Sequence, residues 1–129
     1  MPVALSPEFL RLVNDARSRV RELTIDDFVG RLQAGERYIL VDVREDSEWA
    51  NGHIPSAHHI GRGILEREIE RAIPEYEAPI VLYSGGGNRS ALAADNLQKM
   101  GYVNVFSLDG GWRGWNERGL PTVKPESPR

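Results

Sequence analysis

Two almost uninterrupted apolar runs are separated by segments in which apolar residues recur every three or four positions. The runs cover residues 38–43 and 80–83, and such runs are typical of strands that are covered on both faces of a sheet. Shorter runs predict strands at 58–60 and 103–108. Helical spacing and capping residues predict further elements, namely helices over 7–20, from Thr24 to about Gly35, over 65–73 and over 90–100, with short helical turns at 46–50 and after Gly110.

Strands that alternate with helices indicate an α/β protein with a parallel central sheet and helices on both faces. In such sheets ligands bind beyond the carboxyl ends of the strands. Two polar segments follow the strongest predicted strands and fall at this edge, Asp42 to Arg44 and Ser84 to Arg89. We therefore expect a functional site where these two segments meet.

Composition narrows the class of protein. A chain of 129 residues, 40% hydrophobic and 27% charged, fits one globular domain. The net charge of −3 arises from dispersed residues and gives no basic surface, so neither nucleic acid nor a membrane is an expected partner. No apolar run approaches the roughly 20 residues of a membrane span, and the first residues lack the features of a signal peptide. We expect a cytoplasmic protein.

Cysteine is absent from the sequence. Its absence excludes disulfide bonds, thiolate metal ligands and a catalytic thiol in the chain as written. We expect neither a metal nor a cofactor.

The segment that follows the second strong strand combines glycines with a cation. Gly85, Gly86 and Gly87 can adopt backbone conformations that turn successive N–H groups toward an anion. Asn88 and Ser90 flank Arg89, whose guanidinium adds charge beside the start of a helix. A tight strand-to-helix turn would use the same glycines, and the Lys-Ser or Lys-Thr pair of a P-loop is missing. The loop alone leaves anion binding and packing as open alternatives.

Further motifs surround this loop. In order they are Asp42-Val43-Arg44, Glu48-Trp49, Gly52-His53-Ile54-Pro55-Ser56-Ala57, Asn88-Arg89-Ser90 and Asp109-Gly110-Gly111-Trp112 with Trp115. Together they resemble the rhodanese family. The resemblance implies a single rhodanese-like domain over 22–121, preceded by an N-terminal helical extension over 1–21 and followed by a flexible tail over 122–129. The extension could cover one sheet face or mediate a homodimer.

The resemblance also implies a chemistry. In the family, the first loop residue is a cysteine that takes sulfane sulfur from a donor such as thiosulfate, carries it as a persulfide and passes it to cyanide or a thiol. The matching residue here is Ser84. By the same resemblance Arg89 is a catalytic residue, the residues 85–88 and Ser90 form the anion-binding loop, and Asp42 and Arg44 support it. Related phosphatases and arsenate reductases have a loop one residue longer.

Serine at this position changes the expected activity. Persulfide formation needs a thiolate, and a serine hydroxyl would need an adjacent general base. We expect His53 to be a structural turn residue, and neither His58 nor His59 is a convincing base. Two interpretations stay open. Either residue 84 is natively cysteine and this is an inactive Cys-to-Ser form, or the domain is naturally non-catalytic and binds a small anion or a protein partner.

We favour the interpretation that residue 84 is natively cysteine. A site that has lost its function has no physical reason to keep strained glycines around an anion. The expected partners are a small sulfur-containing anion or a protein thiol. The three tryptophans are expected to pack in the core or at its rim.

Overall fold

The computed structural model describes residues 5–125, which form a five-stranded parallel sheet and six helices. The strands are β1 (Arg21–Leu23), β2 (Ile39–Asp42), β3 (His58–His59), β4 (Ile80–Tyr83) and β5 (Val105–Leu108). The helices are α1 (Pro7–Arg17), α2 (Ile25–Gln33), α3 (Asp46–Ala50), α4 (Leu65–Ala72), α5 (Asn88–Lys99) and α6 (Gly111–Glu117). The strand order is β1-β5-β4-β2-β3. The α/β class with a parallel central sheet, predicted from the sequence, is confirmed.

Helices cover both faces of the sheet. Ile69 of α4 and Leu97 of α5 belong to one core cluster. Phe28 of α2 and Trp115 of α6 belong to the other. Alternate side chains of β4 enter the two clusters, because successive residues of a strand point to opposite faces. The strand is therefore buried throughout. Its apolar run arises because both faces of the sheet are covered, as the sequence pattern predicts.

The structure differs from the sequence prediction at the end of α1. The sequence predicts that the helix reaches residue 20, but it ends at Arg17. The amide of the C-cap residue Ser18 divides its hydrogen bond between the carbonyl oxygens of Asn14 and Asp15. Strand β1 follows and was not predicted. It has three residues, of which only Leu23 is buried, so it is too short to display a period. The last strand likewise begins at Val105 rather than at residue 103.

The N-terminal segment is fastened to the helix that follows the glycine loop. Val13 and Ala16 of α1 are buried, and α1 packs on α5. Arg19 forms an ion pair of 2.8 Å with the nearly buried carboxylate of Asp95, and this hydrogen-bonded partner lowers the pKa of Asp95. Gln98 donates a hydrogen bond of 2.9 Å to the carbonyl oxygen of Arg19. The position of α1 is thus fixed relative to α5.

The segment after α6 returns to the body of the domain. Val123 exchanges two backbone hydrogen bonds with His53, of 2.8 and 3.0 Å. Residues 1–4 of the predicted extension and 126–129 of the predicted tail lie outside the described residues. Within 5–125, no helix is both long and apolar enough to span a bilayer.

Candidate functional site

The two polar segments singled out in the sequence meet at one edge of the sheet. Strands β2 and β4 are parallel neighbours, with Asp42 in register with Tyr83, so the residues that follow them are adjacent. The loop from Ser84 to Arg89 forms the floor of a cavity of about 530 Å³. Glu48 and Arg113 contribute to its walls from α3 and α6, and Leu5 and Phe9 contribute from the N-terminal segment.

The hydroxyl of Ser84 lies inside the loop. Its Oγ atom accepts hydrogen bonds from the amides of Gly87, at 3.3 Å, and Ser90, at 3.2 Å. The residue is fully buried. Two N–H dipoles thus converge on the side-chain atom of residue 84 at the start of α5. A negatively charged atom in this position would be stabilised by both amides and by the helix terminus.

A chain of hydroxyl groups continues behind this position. Ser84 donates a long hydrogen bond of 3.4 Å to Oγ of Ser90, and Ser90 Oγ lies 2.8 Å from Oγ of Ser107. Ser90 also donates to the carbonyl oxygen of Gly87. Ser107 lies on β5 and is fully buried. No sequence pattern marks Ser107 as part of the site, because an isolated serine in a strand carries no local signal.

Helix α6 holds the loop through backbone contacts. The amides of Trp112 and Arg113 donate to the carbonyl oxygens of Ser84, at 2.8 Å, and Gly85, at 2.9 Å. Gly111 precedes them with a φ of +51°, and a Cβ atom at this position would lie 2.3 Å from the carbonyl oxygen of Ser84. Only glycine permits this approach. The Gly-Gly-Trp motif therefore has a structural function that local periodicity could not show.

Arg89 is paired with a carboxylate. Its Nη1 and Nη2 atoms donate to the two oxygens of Glu48, at 2.7 and 3.0 Å. These hydrogen bonds lower the pKa of Glu48 and raise the pKa of Arg89. Glu48 also accepts a hydrogen bond from the amide of Glu45 in the capping box of α3. Glu48 belongs to the Glu48-Trp49 motif, but the sequence pattern alone does not assign it to the site.

A second arginine lies over the loop. A Cβ atom on Gly86 would be 3.1 Å from Nη1 of Arg113, so the guanidinium rests directly on that glycine. No ion pair involves Arg113 among residues 5–125. Because Arg89 is already paired, Arg113 is the cation with the least compensated charge at the cavity.

Asp42 and Arg44 form a buried ion pair beside the loop. Both side chains are almost completely shielded from solvent, and Arg44 Nη2 donates to Asp42 Oδ2 at 2.8 Å. The same atom donates to the carbonyl oxygen of Gly52 at 2.7 Å. The guanidinium lies over the Trp112 ring, 4.6 Å from its centroid. This pair connects β2, the turn at Gly52 and the start of α6.

A tyrosine completes this buried cluster. The hydroxyl of Tyr83 accepts a hydrogen bond from the amide of Ile54, and burial raises its pKa. The ring of His53 stacks on Trp49 at 3.5 Å between centroids, and Nδ1 of His53 lies 3.0 Å from the carbonyl oxygen of Ile54. Within the described part of the chain, no histidine lines the cavity. None is placed to act as a base for residue 84.

Comparisons with known proteins identify the family to which this fold belongs. The family model of the rhodanese-like domain matches residues 24–118. A sulfurtransferase of Allochromatium vinosum is 35% identical over 107 residues, which cover 83% of this chain and 98% of the relative. The chain spans about half the length of two further curated relatives, 53% and 52%.

Solved structures show the same fold. A protein of unknown function from Rhodopseudomonas palustris, described as a possible tyrosine phosphatase, matches with a TM-score of 0.82 and 30% identity, over 95% of this chain and 99% of that one. The polysulfide-sulfur transferase homodimer of Wolinella succinogenes matches with a TM-score of 0.75 and 29% identity, over 92% and 89% of the two chains. The resemblance inferred from the sequence motifs is confirmed.

Proposed function

The chain belongs to the rhodanese-like domain family, and we propose that its Ser84–Arg89 loop is a sulfane-sulfur site. With cysteine at position 84, the site would carry sulfur as a persulfide from a donor such as thiosulfate to cyanide or a thiol. With serine, it would bind a small anion without transferring sulfur. The observation that carries this proposal is the convergence of the Gly87 and Ser90 amides on the side-chain oxygen of residue 84.

The chemistry follows from the atom placed at that point. The thiolate of the Ser84→Cys variant would receive the same two N–H dipoles, which lower the pKa of a thiol and favour its anionic form. The thiolate attacks the outer sulfur of thiosulfate, an S–S bond forms, and sulfite leaves with the electrons of the old S–S bond. Cyanide then attacks the outer persulfide sulfur, giving thiocyanate and regenerating the thiolate.

The serine hydroxyl does not support this cycle. It is buried and uncharged, and no histidine in the described cavity lining could remove its proton. Hydrolase use of Ser84 therefore lacks a base. The Ser84–Arg89 loop also has the length that the resemblance assigns to sulfurtransferases rather than to the related phosphatases.

Both interpretations of Ser84 fit this site. A Cys-to-Ser form leaves the amides, the glycines and Arg89 in place. In a naturally non-catalytic domain the Gly87 and Ser90 amides stay bonded to Oγ of Ser84. Arg113, whose charge has no ion-pair partner among the described residues, would then hold an anion or a protein carboxylate. A cytoplasmic location and a protein thiol as acceptor belong to the proposal. So does a homodimer, the state described for the Wolinella protein, which analytical ultracentrifugation would test.

The deciding experiment compares this chain, Ser84→Cys and Ser47→Cys. Ser47 is exposed on α3, so its variant supplies a thiol outside the loop. Each protein is incubated with thiosulfate, examined by intact mass spectrometry for one added sulfur atom, and assayed for thiocyanate formation from cyanide. We expect sulfur gain and turnover only in Ser84→Cys. A Ser84→Cys thiol that is readily alkylated but gains no sulfur would overturn the sulfurtransferase proposal and leave the binding module.

A further inference from the structure

One wall of the loop cavity is apolar and comes from outside the family-matched region. The family model begins at residue 24, whereas Leu5 and Phe9 line the cavity from the segment that contains α1. Leu5 is 52% exposed and Phe9 is partly buried. Two large apolar side chains therefore face the space directly above an anion-binding loop.

This wall has a fixed position relative to the loop. Ser6 caps α1 by accepting a hydrogen bond from the amide of Phe9, which orders the first turn. The body of α1 packs on α5, and α5 begins at Asn88, inside the loop. The Arg19–Asp95 ion pair closes the same contact at the other end of α1. The apolar wall and the amides that face residue 84 consequently belong to one packed unit.

The cavity has more room than an inorganic sulfur anion requires. At about 530 Å³ it lies in the range of about 300–1,000 Å³ that is typical of sites for organic ligands. The side chains of Leu5 and Phe9 offer no hydrogen bond to an anion. They contribute favourable binding free energy only if an apolar group of the ligand covers them. Glu48 also lines the cavity, but its carboxylate is paired with Arg89. A ligand that matches the remaining walls has a small anionic group for the loop and Arg113, and an apolar group for Leu5 and Phe9.

We propose that Leu5 and Phe9 are specificity residues that select an organic sulfur anion over inorganic thiosulfate. The anionic sulfur group enters the Ser84–Arg89 loop, and its apolar substituent packs on the N-terminal wall. This inference rests on the proposed sulfane-sulfur site and names the class of molecule that the site accepts. An aryl thiosulfonate is the simplest compound of this class that can donate sulfur.

An aryl thiosulfonate would transfer sulfur in the same way as thiosulfate. The thiolate of the Ser84→Cys variant attacks the terminal sulfur of the thiosulfonate, and a new S–S bond forms. The bond between that sulfur and the sulfonyl sulfur breaks, and the aryl sulfinate leaves with its electrons. The apolar group stays on the leaving sulfinate, so the wall contacts both the donor and the first product.

Binding to the chain as written tests the wall without any catalysis. The probes are benzenesulfinate and methanesulfinate, which carry the same anionic group with and without an aryl ring. Isothermal titration calorimetry should show benzenesulfinate binding about tenfold more tightly, since the ring buries apolar surface on the wall. Leu5→Ala and Phe9→Ala should each bring the ratio of the two affinities toward one.

Leu12→Ala is the matched control. Leu12 lies on α1, is 51% exposed and is not part of the cavity lining, so its truncation should leave the ratio unchanged. Thermal unfolding by circular dichroism verifies that each variant is folded. Equal affinity for the two sulfinates in the parent chain would overturn the proposal. A ratio that is insensitive to Leu5→Ala and Phe9→Ala, or equally sensitive to Leu12→Ala, would also overturn it.

A second arm separates this inference from the proposed function. Ser84→Cys is assayed with thiosulfate, methanethiosulfonate and benzenethiosulfonate at a fixed cyanide concentration. We expect the highest kcat/KM for the aryl donor, and loss of that preference when Phe9→Ala is added. Turnover of all three donors with equal kcat/KM would refute the proposal that Leu5 and Phe9 select the donor. It would still support sulfur transfer at residue 84. A preference for benzenesulfinate in the binding assay, with no turnover of any donor, would refute the proposed sulfur transfer. It would still support the selection of aryl groups by Leu5 and Phe9.

Discussion

The carboxylate of Glu48 and the guanidinium of Arg89 form two hydrogen bonds, of 2.7 and 3.0 Å, across the mouth of the loop. The positive charge of Arg89, which the sequence predicts to bind an anion, is therefore already paired with the carboxylate of Glu48 on α3. An anion that enters the loop must compete with Glu48 for Arg89, or bind mainly through the backbone amides and Arg113. This relationship makes Glu48 the residue that sets the electrostatic character of the site.

Replacing Glu48 with glutamine should strengthen anion binding. The change removes a negative charge beside the loop but keeps an oxygen that can accept a hydrogen bond from Arg89. The lost repulsion is expected to contribute about 1 kcal/mol, roughly fivefold in Kd, measured by calorimetric titration with thiosulfate at constant ionic strength. Glu36→Gln makes the same change in net charge before β2, at the opposite edge of the sheet, and should have no effect. Weaker binding by Glu48→Gln would show that the ion pair itself prepares Arg89 for the anion.

The same ion pair should leave a signature in the pH dependence of stability. The pKa of Glu48 is lowered from its ordinary value of 4.5, first by its hydrogen bond with Arg89. Its contribution is therefore fully present above that ordinary value and is lost as the pH falls through the lowered pKa. For a partly exposed pair we expect about 0.5 kcal/mol.

Urea unfolding at pH 6 and at pH 3 measures this effect. The free energy of unfolding of the parent chain should fall more steeply than that of Glu48→Gln, because the glutamine does not titrate. Other paired carboxylates titrate equally in both proteins, so the difference between the two curves isolates Glu48. If the free energy of unfolding falls by the same amount in both proteins between pH 6 and pH 3, Glu48 does not contribute to the pH dependence.

The buried pair at the end of β2 should contribute much more to stability than exposed pairs do. Asp42→Asn leaves the charge of Arg44 without its partner in a site that is shielded from water. Losing one partner of a buried pair costs about 3–5 kcal/mol, measured by urea denaturation. Asp26→Asn breaks the exposed pair with Arg118 and should leave the unfolding curve almost unchanged. A similar loss in both variants would argue against special support from Asp42.

The close approach of α6 to the loop should make Gly111 intolerant of any side chain. In Gly111→Ala the new methyl group would meet the carbonyl oxygen of Ser84, which accepts the Trp112 amide. Displacing that backbone should cost about 3 kcal/mol or more and should weaken thiosulfate binding. Both effects can be followed by denaturation and calorimetry.

Gly119→Ala is the control for this variant. Gly119 also has a positive φ, of +63°, but nothing lies within 4 Å of a Cβ atom there. Gly119→Ala should lower the free energy of unfolding by only about 1 kcal/mol, the cost of placing alanine in a left-handed conformation. Its affinity for the anion should be unchanged. If the two variants behave alike, backbone strain rather than the contact with Ser84 is responsible.

Local patterns determined much of the framework. The apolar run before Ser84 identifies β4, because a strand covered on both faces needs no polar alternation. The three glycines and Arg89 mark the loop, since unusual backbone conformations and a permanent charge depend on residue type. The motif around Asp109 and Gly111 completes the family resemblance. These features can be read from the chain because each depends on neighbours within a few residues.

The tertiary structure decided how these parts act together. Glu48 reaches Arg89 from 41 positions earlier in the chain, and Ser107 of β5 meets Ser90 of α5. Phe9 reaches the cavity only because α1 packs on α5. Strand β1 likewise exists through its pairing with β5. Such contacts depend on the folding of distant segments against one another, and hydrophobic periodicity carries no information about which side chains then meet. The sequence thus located the loop, and packing determined the charge and the walls around it.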